Sequence, residues 1–480
     1  MGRKAAVAFV LCLLLAGCST GYAPGAGVGT APESDTESPT SGEDHLGYVD
    51  GYWYNDTFDI DPETGLTDAE LEAVVSRAMA RVQLLRGLAF EERIEVELVT
   101  RETFRTEYAD AFGGGDDGAS RLENAEYEAL FLVGPDEDVA EVRQRNRGDN
   151  ILGFYAPGSE EIVVVSEGDT PTLEDEMTLA HELLHALQDQ HFGLGSPADT
   201  RDEHTAYQGL IEGDAVVVER AYERNCETGE WQCVEIEDSG ETSIGPDFHF
   251  GVYFLGFAPY AEGPSFIEHH RDRGGWTAIN EMYDAMPRHG AEIVHPETYG
   301  TDRYETVDLS DRHGDGYERV RPDGSDHASL GQTGLATMFA YTLYDDYNEV
   351  GVIEQGAFLN RNEDGTLDDT RPFTYDVDYA EGWHGDRLHA YQDGSETAYV
   401  WSIEFQDTAN ATEFRGGYED LIEHWGGETA GTAGGGDVWR IADDDSPFDG
   451  VIWVRQDDER VTIVGAPTAE DLGSVYAPAG

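Results

Sequence analysis

Thr178-Leu-Ala-His-Glu-Leu-Leu-His-Ala-Leu-Gln-Asp-Gln-His191 is the stretch that decides the reading of this chain. No glycine or proline occurs between Leu173 and Phe192, and Leu183, Leu184, Ala186 and Leu187 are uncharged helix formers, so the segment is expected to be helical. Residues four apart on a helix share a face, with Cβ atoms about 5–6 Å apart. His181 and His185 can therefore bind one metal ion through imidazole nitrogens at about 2.0–2.1 Å. Glu182 flanks the same face, where its carboxylate can act as general base on a metal-activated water.

A catalytic zinc takes three protein ligands and keeps a fourth position open. The best third donor is Glu212, in Leu210-Ile-Glu-Gly-Asp-Ala215, on a helix expected over residues 204–222. The intervening segment is long enough for a helix–turn–helix return. His191 and His204 are rival third ligands, although His191 lies six residues after His185, a poor spacing for one helix face. Asp214 or Glu219 is expected to orient a ligand histidine, because ligating imidazoles usually donate their free N–H to a carboxylate.

These residues carry a resemblance. His-Glu-x-x-His followed by a Glu on the next helix resembles the signature of gluzincin-type zinc metallopeptidases. The fuller set of blocks is His181-Glu-Leu-Leu-His-Ala-Leu-Gln-Asp-Gln-His-Phe192, Leu210-Ile-Glu-Gly-Asp-Ala215 and Ile293-Val-His-Pro-Glu-Thr-Tyr299. Together they are similar to a group of haloarchaeal surface lipoproteins, with bacterial relatives, that carry a predicted metallopeptidase domain. The likeness spans roughly residues 60–390 if Gly382-Trp-His-Gly-Asp-Arg387 is included. It implies a zincin-like α+β catalytic domain, zinc as cofactor on His181, His185 and Glu212, Glu182 as base, and a peptide or protein substrate. One departure stands out: many gluzincins have Glu-x-x-x-Asp after the motif, but position 216 here is Val, which leaves Asp214 to take the orienting role. Peptide hydrolysis also needs a donor for the developing oxyanion, and His295, Tyr299 and Tyr260 are the candidates. The competing functional class is a non-catalytic surface lipoprotein with a structural or inert metal site, acting in binding or envelope maintenance.

Charge sets the environment. Against 99 acidic residues the chain has 29 basic ones, a net charge of −70, and Lys4 is its only lysine. Such a surface stays hydrated where salt screens its self-repulsion to within a few ångströms, so the composition is read as halophilic. With no basic patch to release counterions, nucleic acid is not an expected partner.

The leading residues read as a secretory leader: Arg3 and Lys4, an apolar run, then Leu15-Ala16-Gly17-Cys18, which resembles a lipobox. The expected organisation is a signal peptide over 1–17, a lipidated Cys18 with a disordered acidic linker over 18–44, a zincin-like metallopeptidase domain over 45–380, and a small antiparallel α+β domain over 381–480. The protein is thus expected outside the cytoplasm, tied to the cell membrane by lipid. Cys226 and Cys233 flank a turn-rich loop and are expected to form a local disulfide. Ahead of the motif, alternating residues predict strands near 94–99, 151–155 and 162–165. After it, helices are expected at 247–257, 263–271, 276–286 and 329–344. The tail should hold strands at 387–391, 397–405, 438–441, 450–456 and 460–465, with helices at 409–424 and 468–475.

Overall fold

A computed structural model describes residues 46–476, except 62–64, 109–116, 167, 169–170, 196–197, 235–246, 323–325, 363, 369 and 395. The signal-peptide region, Cys18 and the linker lie outside the described residues. Among the described residues no helix is long and apolar enough to cross a membrane.

The fold is of the α+β class, and its elements follow local sequence signals. The first long helix, Asp68–Arg86, starts at a reciprocal capping box between Thr67 and Glu70. It stops at Gly87, whose φ of 75° is the left-handed conformation that glycine tolerates best. The motif helix, Glu176–Phe192, begins where the Asp175 carboxylate accepts the Thr178 amide at 2.7 Å. The return helix, Arg201–Glu227, is capped by Thr200. One further stretch, Phe250–Met282, is helical except for Gly275 (φ 65°, ψ −166°).

That last stretch differs from the separate helices read at 247–257, 263–271 and 276–286. Pro259 and Pro264 lie inside it and are buried. The helix persists because it packs almost backbone to backbone on the return helix. A Cβ built on Gly263 would fall 2.5 Å from the Gly209 carbonyl oxygen and 2.9 Å from the Gly213 Cα. Only glycine permits that approach, and the apolar contact it creates outweighs two proline breaks.

Besides a short antiparallel ribbon of β1 (Tyr48–Val49) and β2 (Tyr52–Trp53), two main sheets flank the helices. The smaller has strand order β3-β5-β4 (Glu95–Thr100, Glu161–Ser166, Gly153–Ala156). In it β3 runs parallel to β5, and β4 runs antiparallel along β5's other side. The larger, seven-stranded sheet has the order β6-β7-β8-β12-β11-β10-β9 and is antiparallel throughout. Its strands are β6 (Glu318–Arg319), β7 (Trp383–Asp393), β8 (Glu396–Phe405), β9 (Gly427–Ala433), β10 (Gly436–Ile441), β11 (Gly450–Asp457) and β12 (Arg460–Ala466). Edge strand β6 comes from upstream of the boundary expected at 381. A single buried apolar cluster from Leu122 through Phe254, Leu335 and Trp401 to Ile463 joins the sheet's inner face to the helices. Asp386 accepts the Leu330 and Gly331 amides, Ser329 Oγ and Trp401 Nε1 at 2.8–3.0 Å. It thereby anchors the start of the helix Gly331–Tyr341 on the sheet.

A buried charge cluster locks the motif helix in place. Glu176, in its first turn, receives Arg77 Nη2, Arg81 Nη1 at 2.7 Å and the Tyr222 hydroxyl at 2.9 Å. Removing one partner of such a cluster leaves buried charge uncompensated, at about 3–5 kcal/mol. Glu176→Gln is therefore expected to lower the denaturation midpoint sharply in multimolar salt, and an unchanged midpoint would contradict this account of the packing.

A second stability effect depends on pH. Burial, with Asp449 beside it and despite a hydrogen bond from Thr397, pushes Glu128 up from 4.5 to about 7. Its folded-state pKa exceeds the unfolded one, so its stabilising contribution is complete below about 4.5 and fades as pH rises through about 7. Glu128→Gln is expected to be more stable than the wild type at pH 8 by about 1–2 kcal/mol, a difference that vanishes near pH 4. Chemical denaturation at the two pH values checks it.

Candidate metal centre

The sequence spacing becomes geometry where the motif and return helices cross. The Nε2 atoms of His181 and His185 both face Glu212 Oε2, at 3.2 and 3.3 Å. One ligand atom from each of the three residues lies within 4.8 Å of the others, close enough for one metal ion to be shared among them. Among the described residues, His181, His185 and Glu212 are the group of His, Cys, Asp and Glu side chains close enough to hold a metal ion. The imidazoles meet edge to face, with ring centroids 4.8 Å apart.

Each ring is fixed from behind. His181 Nδ1 donates to Glu219 Oε2 at 2.8 Å, and His185 Nδ1 donates to Gln188 Oε1 at 2.9 Å. Both hydrogen bonds leave Nε2 as the metal-facing atom. Of the two acids read as orienting groups, Glu219 takes the role. Asp214 does not touch a ligand: it is fully buried against Arg86, whose Nε lies 2.9 and 3.0 Å from its two oxygens, and it accepts the Tyr283 hydroxyl at 2.9 Å. The helical repeat explains the difference. Seven residues, close to two full turns, bring Glu219 back to the face of Glu212, whereas Asp214 points some 160° away.

The electrostatics favour positive charge. Burial opposes a charged imidazole at both positions, yet the Glu212 and Glu219 carboxylates hold His181 well above its ordinary pKa, and Glu212 raises His185. Burial would also raise Glu212, but the charge of His185 and hydrogen bonds from both rings hold it far below the usual carboxylate value. A positive charge among these groups is strongly favoured, whether carried by protons or by a metal.

Glu182 is buried, 8 % exposed. Its carboxylate accepts a backbone hydrogen bond from Tyr155 on β4. Burial pushes its pKa up, against the pull of both imidazoles. β4 can lie this close because Gly153 leaves room: a Cβ there would be 3.2 Å from Thr178 Cγ2 and 3.4 Å from Glu182 Cγ. Opposite, the Tyr260 ring stacks on His181 with centroids 6.4 Å apart, delivered by the helix packed at Gly213.

The remaining candidates fall elsewhere. Tyr299 donates its hydroxyl to the Ala285 carbonyl and packs against Phe266 and His270, about two to three helical turns beyond Tyr260. His295 caps the short helix Gly290–Val294, and its Nε2 meets the Gln332 amide at 2.9 Å. His191 Nε2 donates to the Ala89 carbonyl at 2.7 Å, and exposed His204 lies about 12 Å before Glu212 on the return helix. Cys226 and Cys233 are joined by a disulfide at the end of that helix. The groups not singled out from the sequence are Gln188, Tyr283 and Arg86. Gln188 carried a usable signal, since it follows His185 by one helical turn; the other two come from distant helices.

A family model described as "Domain of unknown function (DUF8575)" matches residues 318–476, the region of the seven-stranded sheet. The match contains none of the histidine site. No curated protein and no solved structure matches the chain.

If this geometry is a metal site, the wild type should bind one zinc per chain, and His185→Ala should lose it while keeping its far-ultraviolet circular dichroism. Elemental analysis after gel filtration in multimolar salt reads both, and full zinc occupancy in the variant would remove His185 from the site.

Proposed function

We propose that this chain is a zinc-dependent peptidase of gluzincin type, with a zincin-like catalytic region, acting at the cell surface on a lipid anchor at Cys18. The observation that carries the reading is the position of Glu182. A carboxylate stands beside a two-histidine, one-glutamate ligand set without being part of it, and a purely structural zinc site has no use for a base there. The nitrogen–nitrogen–oxygen donor set suits zinc. The net charge of −70 supports work in concentrated salt.

Held by His181, His185 and Glu212, zinc would supply Lewis-acid polarisation of the attacking water and the scissile carbonyl. The rest falls to the chain's own groups. Glu182 takes the proton from the attacking water and passes it to the leaving amine, while the Tyr155 amide keeps its carboxylate aimed. Tyr260, stacked on His181, is the residue best placed to donate to the oxyanion, which supports it over His295 and Tyr299. Strand β4 lies at the edge of its sheet beside Glu182, so an extended peptide can add along it through backbone hydrogen bonds.

Glu182→Gln separates the two functional classes. It should keep one zinc per chain and lose peptide hydrolysis by about 10²–10⁴-fold, measured on a peptide library in multimolar salt. A zinc-loaded wild type that cleaves nothing in that library would instead favour a non-catalytic surface lipoprotein.

A further inference from the structure

Behind His185 runs a chain of buried hydrogen bonds whose direction is fixed at both ends. Gln188 Oε1 faces His185 Nδ1 at 2.9 Å, and Gln188 Nε2 faces the Ile211 carbonyl at 3.0 Å and the Tyr283 hydroxyl at 2.9 Å. The Tyr283 hydroxyl meets Asp214 Oδ2 at 2.9 Å, and Arg86 Nε holds both Asp214 oxygens. Arg86 is itself held by Asn280 Oδ1 at 2.7 Å and by the Trp276 ring, 4.3 Å from its guanidinium carbon. Gln188, Asp214 and Arg86 are at most 1 % exposed, and Tyr283 is 7 % exposed.

Donor and acceptor chemistry leaves one consistent assignment. Arg86 Nε donates to both Asp214 oxygens, and the Tyr283 hydroxyl donates to Oδ2. The tyrosine oxygen then accepts from Gln188. The Ile211 carbonyl can only accept as well, which fixes the amide nitrogen of Gln188 on that side and its oxygen toward His185. Nδ1 of His185 must therefore carry hydrogen. We propose that Arg86, Asp214, Tyr283 and Gln188 form a directional relay that presets His185 as the tautomer with Nε2 free for the metal. All four act as positioning residues.

This inference rests on the metal-site reading and adds to it. His181 reaches a carboxylate in one step, through Glu219, which is one-third exposed at most. His185 reaches its carboxylate in three steps through the protein interior. The charge of Asp214 is thus kept away from the cation while still setting the orientation of the ring. It also gives a use for an otherwise costly buried ion pair.

The test is zinc affinity by competition with a chromophoric chelator in multimolar salt, on the wild type, Tyr283→Phe, Gln188→Leu and Tyr222→Phe. Tyr222→Phe is the matched control: it also deletes one buried hydroxyl, bonded to Glu176 on the same motif helix but outside the relay. Tyr283→Phe and Gln188→Leu should each bind zinc about 10–100-fold more weakly, with Tyr222→Phe like the wild type. If either relay variant folds and binds zinc as tightly as the wild type, or if the control weakens binding equally, the relay is overturned. Should both relay variants fail to fold, nitrogen-15 spectra of the zinc-loaded wild type decide: hydrogen on Nδ1 of His185 is required, and zinc on Nδ1 refutes it. A wild type that binds no zinc overturns the metal-site reading itself, and the relay falls with it.

Discussion

Acidic side chains crowded into a nearly dry crevice repel one another unless positive charge lies among them. Glu182, Glu212 and Glu219 converge on two imidazoles that are 14 % exposed or less. In a medium less polarisable than water this arrangement strongly favours a positive charge among them. The surrounding fold can be understood as the means of holding those charges together against their own repulsion.

That means is unusual for so acidic a chain. Of its 29 basic residues, three stand on one helix at positions 77, 81 and 86, each no more than 1 % exposed. Arg77 and Arg81 clamp Glu176 at the start of the motif helix, and Arg86 clamps Asp214 on the return helix. One helix therefore fixes both ligand-bearing helices through buried charge. Glycines 209, 213 and 263 complete the framework by letting the next helix approach closely enough to set Tyr260 over His181. Apolar packing alone could slide by a turn; buried ion pairs tie each helix to one register.

Much of this was legible in the sequence, and what was hidden had physical causes. His181, His185 and Glu212 could be paired because helical period and ligand chemistry are local properties, and the structure brings their donor atoms together. Glu219 could be weighed but not chosen over Asp214, since the choice depends on helix phase relative to a neighbour. His295 and Tyr299 sat in a suggestive block, yet sequence gives no distance across a fold, and their partners proved to be Gln332 and Ala285. The long helix Phe250–Met282 reads in the sequence as fragments because prolines and glycines break isolated helices, while in the fold tertiary contact overrides them. Strand β9, Gly-Glu-Thr-Ala-Gly-Thr-Ala, lacks any large apolar residue; it is an exposed edge that exists because β10 offers it a partner.

The family match places the seven-stranded sheet within a recurrent unit, while the histidine centre lies wholly outside it. The central claim therefore rests on the centre's own chemistry. X-ray absorption spectroscopy of the zinc-loaded protein in multimolar salt addresses it most directly. Two imidazole nitrogens and two oxygens at about 2.0–2.1 Å are predicted, one oxygen from Glu212 and one from solvent. A shell of oxygens alone, or zinc that washes away on desalting into metal-free salt solution, would contradict the central claim.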